Sequence, residues 1–571
     1  MVHICLTPHE LIDPSTQIID TLCVIGTVKA FQSNLSWVLE NVLPVALTAP
    51  NTSMEGGEPH RKKPKVESQQ ELDTSASLIQ RVLSTLQPSL DTAASTELWL
   101  PRDPLLLRVV LIALPATVSR HNSSSQPYAV SSNLKKFVRP KESTAVVGLF
   151  ESSEVYATIC AVSRVGGGLL YNRKTGGKTD ILPNSDSHHS HAMAPLLLGG
   201  ISMSETALPD LNHMRVVFPP SASPEDKEVG LWRTKMCNVA LGIQLARRLV
   251  DAPCNELDTT AFLEQAMAVV QGVRHVTTKV IKGKELMDKG YGGLYNVGKA
   301  ALQPPALVIL SYVPPDVKDE PSIVLVGKGI VFDTGGLQIK PKPTMPGMKR
   351  DMGGAAAILS AFGAFVRSAP YQPAVKRPVH AVLCLAENAV ANDALRADDI
   401  ITMYSGKTVE INNTDAEGRL VLGDGVCHAS RHLNPSTIID MATLTGAQGV
   451  ATGKYFGALY CNDEALEQSV VTCGKYSGDL CHPMPYVPEF FKQEYTSAVA
   501  DMKNSVADRA NAQVSCAGQF IGNHISDWLA VEGKRWCHVD MAYPVFDKKD
   551  ERATGYGVGL LYSLLEQYSQ E

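Results

Sequence analysis

The chain has 571 residues, 44% of them hydrophobic and 19% charged, a balance that excludes a disordered or fibrous protein. At roughly 100–200 residues per domain, that length accommodates two or more domains. A formal net charge of −6 gives no overall attraction to nucleic acid or an anionic membrane.

Met1–Pro8 has no basic start followed by an apolar run, so no secretory signal is expected. Twelve cysteines are scattered singly between Cys5 and Cys537, the pattern of reduced core thiols in an intracellular protein. Residues 51–76 form a compositional break around the basic run Arg61–Lys65. Their apolar content is too low to offset ordering, and a mobile surface insertion is expected. The basic run suits a nuclear-import signal or a polyanion patch, and equally a plainly solvated stretch. Leu105–Leu114 is the longest apolar stretch, but Arg108 interrupts it and it falls short of the roughly 20 residues of a membrane span. Ala145–Phe150 reads as a buried strand beside helical candidates, giving a small α/β domain. His188, His189 and His191 cluster in a polar segment, which fits either a transition-metal loop or an ordinary one. Pro219–Lys227 has linker chemistry, so the expected organisation is an N-terminal α/β domain at 1–218, a linker at 219–227 and a larger domain at 228–571.

In the larger domain, Ser322–Val326, Val379–Ala386 and Thr437–Leu444 are short runs rich in Val, Ile and Leu, as in buried strands. Helical patterns, Gly353–Val366 and Gly418–Leu433, lie between them. The alternation predicts an α/β fold with a mixed, mostly parallel sheet covered by helices. Ligands of such sheets gather at the carboxyl ends of strands.

Asn413–Leu420 packs Asp415, Glu417 and Arg419 into an otherwise apolar neighbourhood, where charges need partners. Val326–Lys340 offers Lys328, Asp333 and Lys340, and Met348–Gly354 offers Asp351. Lys328, Asp333 and the loop carrying Asp415 and Glu417 follow predicted strands or precede helices, so they are expected to meet on one edge. A Gly-Lys-Gly turn alone carries little meaning, and a carboxylate beside an arginine is commonly a salt bridge. Their joint occurrence points instead to one oxygen-rich metal site. Lys328, Asp333, Asp351, Asp415 and Glu417 exceed the needs of one tetrahedral ion but suit two ions, roughly 3.5–4 Å apart, that share carboxylates and activate water. Zinc, manganese or magnesium fits this donor set. A lysine ligates only when neutral, against an ordinary pKa of about 10.4, and adjacent dications supply the depression. Lys340 need not ligate and is free to stabilise an oxyanion. Arg419 could orient a carboxylate-like base or a substrate group through its planar fork.

The segments Val326–Lys340, Met348–Gly354 and Asn413–Leu420 closely resemble the motifs of the leucyl aminopeptidase family, the two-metal cytosolic exopeptidases. Arg247–Glu256, Met441–Ala447 and Ala500–Asn504 extend the likeness, which covers roughly residues 228–565. Met441–Lys454, Thr496–Arg509 and Glu551–Gly555 look most like an animal branch of that family. The resemblance implies that Asp333 and Glu417 bridge both metals, that Lys328 and Asp351 complete the tighter site, and that Asp415 completes the more exchangeable one. In the family's mechanism a metal-bridging hydroxide attacks the first peptide carbonyl, the free α-amine of the substrate binds a metal, Lys340 polarises the carbonyl, and a bicarbonate held by Arg419 shuttles the proton. Met348 and Thr443 match positions lining the first side-chain pocket, and Leu444 the backbone acceptor near the leaving group. The resemblance further implies short peptide substrates, a homo-hexamer and a cytoplasmic location, with a nuclear pool if Arg61–Lys65 acts as an import signal. Ser515–Phe520 departs from the family's more alanine-rich pocket helix and leaves the first-residue preference open. A narrow dipeptidase, such as one cleaving cysteinyl-glycine, is one alternative. The other is a non-catalytic scaffold that assembles or binds nucleic acid.

Overall fold

The computed structural model describes residues 2–5, 19–47, 69–102, 105–139, 142–165, 214–219, 229–371 and 374–570. They form two compact units. The first holds the described residues before 166 together with 214–219, 229–241 and 475–478, and the second holds the described residues of 242–474 and of 479–570. Arg61–Lys65, His188, His189, His191 and all of the expected linker except Pro219 lie outside the described residues.

The first unit is built on β1 (Val2–Ile4), β2 (Thr21–Thr27), β3 (Ala94–Arg102), β4 (Leu105–Leu114), β5 (Thr144–Leu149) and β6 (Met214–Val217), in the spatial order β1-β6-β5-β2-β4-β3. Only the β3–β4 pair is antiparallel. The longest apolar run is thus a sheet strand, and the arginine that interrupts it is paired: Arg108 donates to Glu97 Oε2 at 2.6 Å and to the Phe137 carbonyl at 2.8 Å. The mobile insertion expected at 51–76 is corrected at its end, because Gln69–Thr85 is a helix. Leu72, Ala76, Ile79 and Leu83 recur at helical spacing and pack on the core of this unit. The intervening polar residues masked that period.

In chain order the second unit carries β7 (Val276–Lys282), β8 (Ala306–Tyr312), β9 (Ser322–Asp333), β10 (Val379–Asn388), β11 (Ile400–Thr402), β12 (Thr408–Glu410), β13 (Pro435–Ala442), β14 (Gly457–Cys461), β15 (Cys481–Pro483), β16 (Met502–Lys503) and β17 (Arg535–Asp540). Eight of them form one sheet, ordered β15-β14-β17-β13-β9-β10-β8-β7. Its middle, β17-β13-β9-β10, is parallel, and β8 and β7 continue it antiparallel. This is the expected mixed sheet. The expected strand Ser322–Val326 continues to Asp333, so Lys328 and Asp333 lie within β9 rather than after it. Gly327 and Gly329 gave the sequence the look of a turn; in the structure a Cβ on Gly327 would lie 2.6 Å from the Ala355 backbone, so this glycine admits close packing of a helix instead. The expected helices appear as Gly353–Ser368 and Gly418–His432. A second, three-stranded sheet, β11-β12-β16, lies beside the chain that runs from Glu410 to Glu417.

Helix Gly353–Ser368 begins hard against β13. A Cβ on Gly354 would stand 2.0 Å from the Met441 carbonyl oxygen, a backbone atom that cannot turn aside. Gly354→Ala should therefore cost about 1–3 kcal/mol or more, read from urea unfolding, as overpacking does. A change below about 0.5 kcal/mol, the range of neutral surface substitutions, would refute this packing.

His524, buried at the end of helix Gln513–Asn523, bonds Ser405 Oγ through Nδ1 at 2.8 Å. Burial first, then the Lys407 charge, push its pKa down from 6.5 to about 3. The unfolded chain binds this proton at the ordinary value and the folded chain does not. The stability it contributes is intact above pH 6.5 and is lost as pH falls from there toward about 3. His524→Gln should flatten the pH dependence of unfolding free energy over that window, relative to the parent. Superimposable slopes would count against the neutral imidazole. Among the described residues, no helix is long and apolar enough to cross a membrane.

Candidate metal centre

Three neighbouring segments bring the carboxylates together. β9 presents Lys328 and Asp333. The turn Met348–Arg350 leads into Asp351, and the loop after β12 carries Asp415 and Glu417 into helix Gly418–His432. Asp333, Asp351 and Glu417 are buried, and each offers an oxygen within 4.8 Å of the others. Asp415 is half-buried at the same place, joined through Lys340: this lysine lies 2.7 Å from Asp333 Oδ2 and also pairs with Asp415 Oδ1. All five expected ligands and Lys340 thus converge.

Lys328 sits at the bottom. Its Nζ donates to Asp351 Oδ1 at 2.9 Å and to the Thr443 carbonyl at 3.0 Å, and lies 3.0 Å from Glu417 Oε1. Gly418 lets the lysine in, since a Cβ there would come within 2.6 Å of Lys328 Cε and Nζ. Burial alone would lower the Lys328 pKa, but Asp351, Glu417 and Asp333 outweigh it and hold the ammonium above its ordinary range. The same balance raises Lys340, where burial is opposed by Asp333 and Glu417. Three of the carboxylates are raised as well, but here burial acts in the same upward direction. Burial, then the repulsion of Asp333, push Glu417 up to about 8, and burial lifts Asp351 to about 6 and raises Asp415. Four carboxylates against two lysines leave the cluster short of positive charge.

Divalent cations fit that deficit. Glu417 Oε2 is buried without a hydrogen-bond donor among the described residues, and Asp351 Oδ2, 2.8 Å from Lys328 Nζ, lacks hydrogen-bond alignment. A buried carboxylate oxygen with nothing donating to it calls for a cation or an ordered water. The oxygen-rich set with one amine suits a hard or borderline dication.

Arg419 is placed differently from a simple salt bridge. It forms no ion pair with a described carboxylate. Its Nη1 donates to Tyr495 Oη at 3.1 Å and to the Asn504 carbonyl at 3.0 Å, while Nε is buried and unpartnered among the described residues. Thr443 donates from Oγ1 to Asp351 Oδ1 at 2.9 Å, which ties this residue to a carboxylate of the cluster. Met348 is half-buried on the turn preceding Asp351, and Leu444 follows Thr443. Residues 515–520 lie in the buried part of helix Gln513–Asn523.

Several supporting residues escaped the sequence reading. Asn388 Nδ2 donates to Asp333 Oδ1 at 2.9 Å and to the Thr414 carbonyl at 3.1 Å. Gln338 holds Thr414 from the other side, with Gln338 N donating to Thr414 Oγ1 at 2.9 Å. Asp540, fully buried, accepts from Leu444 N at 3.1 Å, from Thr445 N at 3.0 Å and from Thr445 Oγ1 at 2.6 Å, which fixes the loop after β13. Asn388 and Asp540 end strands, at the sheet edge where ligands gather, and that position was their one signal.

Comparison with known proteins gives the family. Residues 244–562 match the cytosol aminopeptidase family, catalytic domain, and residues 66–176 match the M17 aminopeptidase N-terminal domain 2. The probable aminopeptidase NPEPL1 of Mus musculus is 44% identical over 498 residues, covering 86% of this chain and 84% of that protein. Leucine aminopeptidase 1 of Caenorhabditis elegans is 40% identical over 462 residues, covering 80% and 84%. Among solved structures, the leucyl aminopeptidase of Leishmania major in complex with actinonin superposes with a TM-score of 0.78 at 32% identity, covering 99% of this chain and 94% of that one. With the catalytic-domain match spanning more than half its length, the chain belongs to the cytosol aminopeptidase family.

Proposed function

We propose that the protein is a metalloaminopeptidase that removes the N-terminal residue of short peptides. The observation that carries this reading is the buried convergence of Asp333, Asp351 and Glu417 around Lys328, with Asp415 and Lys340 at its mouth. Asp333 and Glu417 would hold two divalent ions jointly, Lys328 and Asp351 one of them, and Asp415 the other. The ions, when bound, supply an activated water and a seat for a free amine. Zinc, manganese or magnesium serves the donor set.

The chain's own groups do the rest. Lys340 reaches both Asp333 and Asp415, and its ammonium would donate to a carbonyl oxygen as negative charge develops there. Arg419, its Nε unengaged, offers a donor to a small anion such as bicarbonate, which would carry the proton from the water to the leaving amine. Thr443 and Met348 would border the first side chain, and the Leu444 carbonyl would accept from the substrate backbone. Selectivity for the chain end follows, because an internal peptide bond presents no free amine. The reading places this chemistry in the domain expected from residue 228 onward, in a cytoplasmic homo-hexamer, with Arg61–Lys65 as a route to a nuclear pool. Names of relatives as cytosol aminopeptidases favour that location.

Asp415→Ala tests the assignment. It deletes a proposed ligand at the half-buried rim, where the fold tolerates truncation. Turnover of aminoacyl amides should disappear while the thermal midpoint stays near that of the parent, and undiminished turnover would sink the reading.

A further inference from the structure

Asn504 ends the string Ala500–Asn504, and the proposed chemistry gives it no part. Its side chain is 0% exposed. β16 runs parallel to β12, pairing Val409 with Met502 and Glu410 with Lys503, so Asn504 emerges beside the chain leaving β12 for the ligand loop. Its backbone N donates to the Glu410 carbonyl at 3.1 Å. Its Oδ1 accepts from Asn412 N at 2.9 Å and from Asn413 N at 3.2 Å. Its Nδ2 donates to the Asn413 carbonyl at 2.6 Å and to the Ala416 carbonyl at 3.4 Å. The Asn504 carbonyl takes Arg419 Nη1 at 3.0 Å. One buried amide thus grips the loop on both sides of Asp415 with acceptor and donor together, a pattern that neither an aspartate nor an apolar residue reproduces.

We infer that Asn504 is a positioning residue that presets the 412–417 loop, and so fixes how tightly the half of the metal centre completed by Asp415 holds its ion. This rests on the two-metal reading above. Asp333, Asp415 and Glu417 repel one another when no cation is bound, and the loop needs external ties to keep them converged. Within the loop, Gln338 holds Thr414 and the Asn412 carbonyl and Asn388 holds the Thr414 carbonyl, all on the side before Asp415. Asn504 holds the peptides on either side of it. Lys328 and Asp351 come from β9 and the turn Met348–Arg350, which Asn504 does not touch. Glu417, which serves both ions, is anchored independently by Lys328 at 3.0 Å, so the effect should fall mainly on the ion completed by Asp415.

The test is calorimetric titration of the metal-free full chain with Co²⁺, followed in parallel by cobalt's visible absorption, for the parent, Asn504→Ala and Asn504→Ser. The parent should show two binding events. Asn504→Ala should weaken the weaker event about 10–100-fold, the usual scale for residues supporting metal ligands, and leave the stronger one in place. Asn504→Ser, which keeps one hydroxyl, should fall between them, and it is read alone if the alanine variant loses the parent's near-ultraviolet circular dichroism. Parent affinity at both sites in a folded variant would overturn the inference and leave the two-metal reading standing. Equal weakening of both events would also overturn it, as the mark of general loosening. A parent that binds no cobalt would overturn both.

Discussion

Stripped of metal, the protein should lose at least about a thousandfold of its turnover of aminoacyl amides, and adding zinc, manganese or magnesium should restore it. The magnitude follows because a Lewis-acidic ion contributes several kcal/mol to the barrier, and each 1.4 kcal/mol or so is a factor of ten. The four acidic side chains at the centre face two lysines, and a bound dication would supply the charge that activates water there. N-acetylated versions of the same substrates should resist hydrolysis by the reloaded enzyme, because acetylation removes the amine that a metal would seat. Equal rates on free and acetylated substrates would exclude an aminopeptidase. Metal-loaded protein with no turnover across a broad panel of first residues would favour the narrow dipeptidase or the scaffold.

Lys340→Ala should lower kcat by about 10²–10³ with little change in KM, the loss seen when one oxyanion donor is removed. The argument is one of placement. Lys340 is the ammonium at the mouth of the centre, whereas Lys328 is buried beneath it against Asp351 and Glu417. Burial works against the charge on Lys340, and the neighbouring Asp333 and Glu417 oppose that and favour the ammonium. The variant should still bind both ions, measured by metal analysis after gel filtration. A kcat within twofold of the parent would remove Lys340 from the chemistry, and loss of metal would make it a structural counter-ion instead.

Residue type and spacing made the centre itself legible. Charged side chains in Val326–Lys340, Met348–Gly354 and Asn413–Leu420 had no reason to lie amid apolar and glycine-rich chain unless they met, and in the structure they do meet. The central parallel strands were legible for a similar reason, since continuous Val, Ile and Leu runs mark burial on both faces. Where β9 ends was not legible. Gly327 and Gly329 signal a turn to any local reading, and only the helix packed against Gly327 and the strand β10 against Gly329 reveal that they are strand positions lacking room for a side chain. Helix Gln69–Thr85 was hidden because its apolar positions are sparse and adjoin the polar stretch before it. The supporting network was hidden most deeply. Asn388, Asn504 and Asp540 work through backbone groups far away in sequence, and no local pattern distinguishes an amide that grips a loop from one that faces water.

The order of strands in the large sheet also sets a timetable. β9 and β13 are neighbours although Ser436 bonds back to a residue 114 positions earlier, and Asp540 secures Thr445 from 95 positions further on. Every carboxylate of the centre has left the ribosome by Glu417, but the strand β17 that flanks β13, and the aspartate that ends it, have not. A nascent chain therefore carries all four clustered carboxylates while β17, and the Asp540 that fixes the loop after β13, are still unmade. An enzyme whose substrates are chain ends therefore cannot act on one until the segment through Asp540 has been made and has closed over β13.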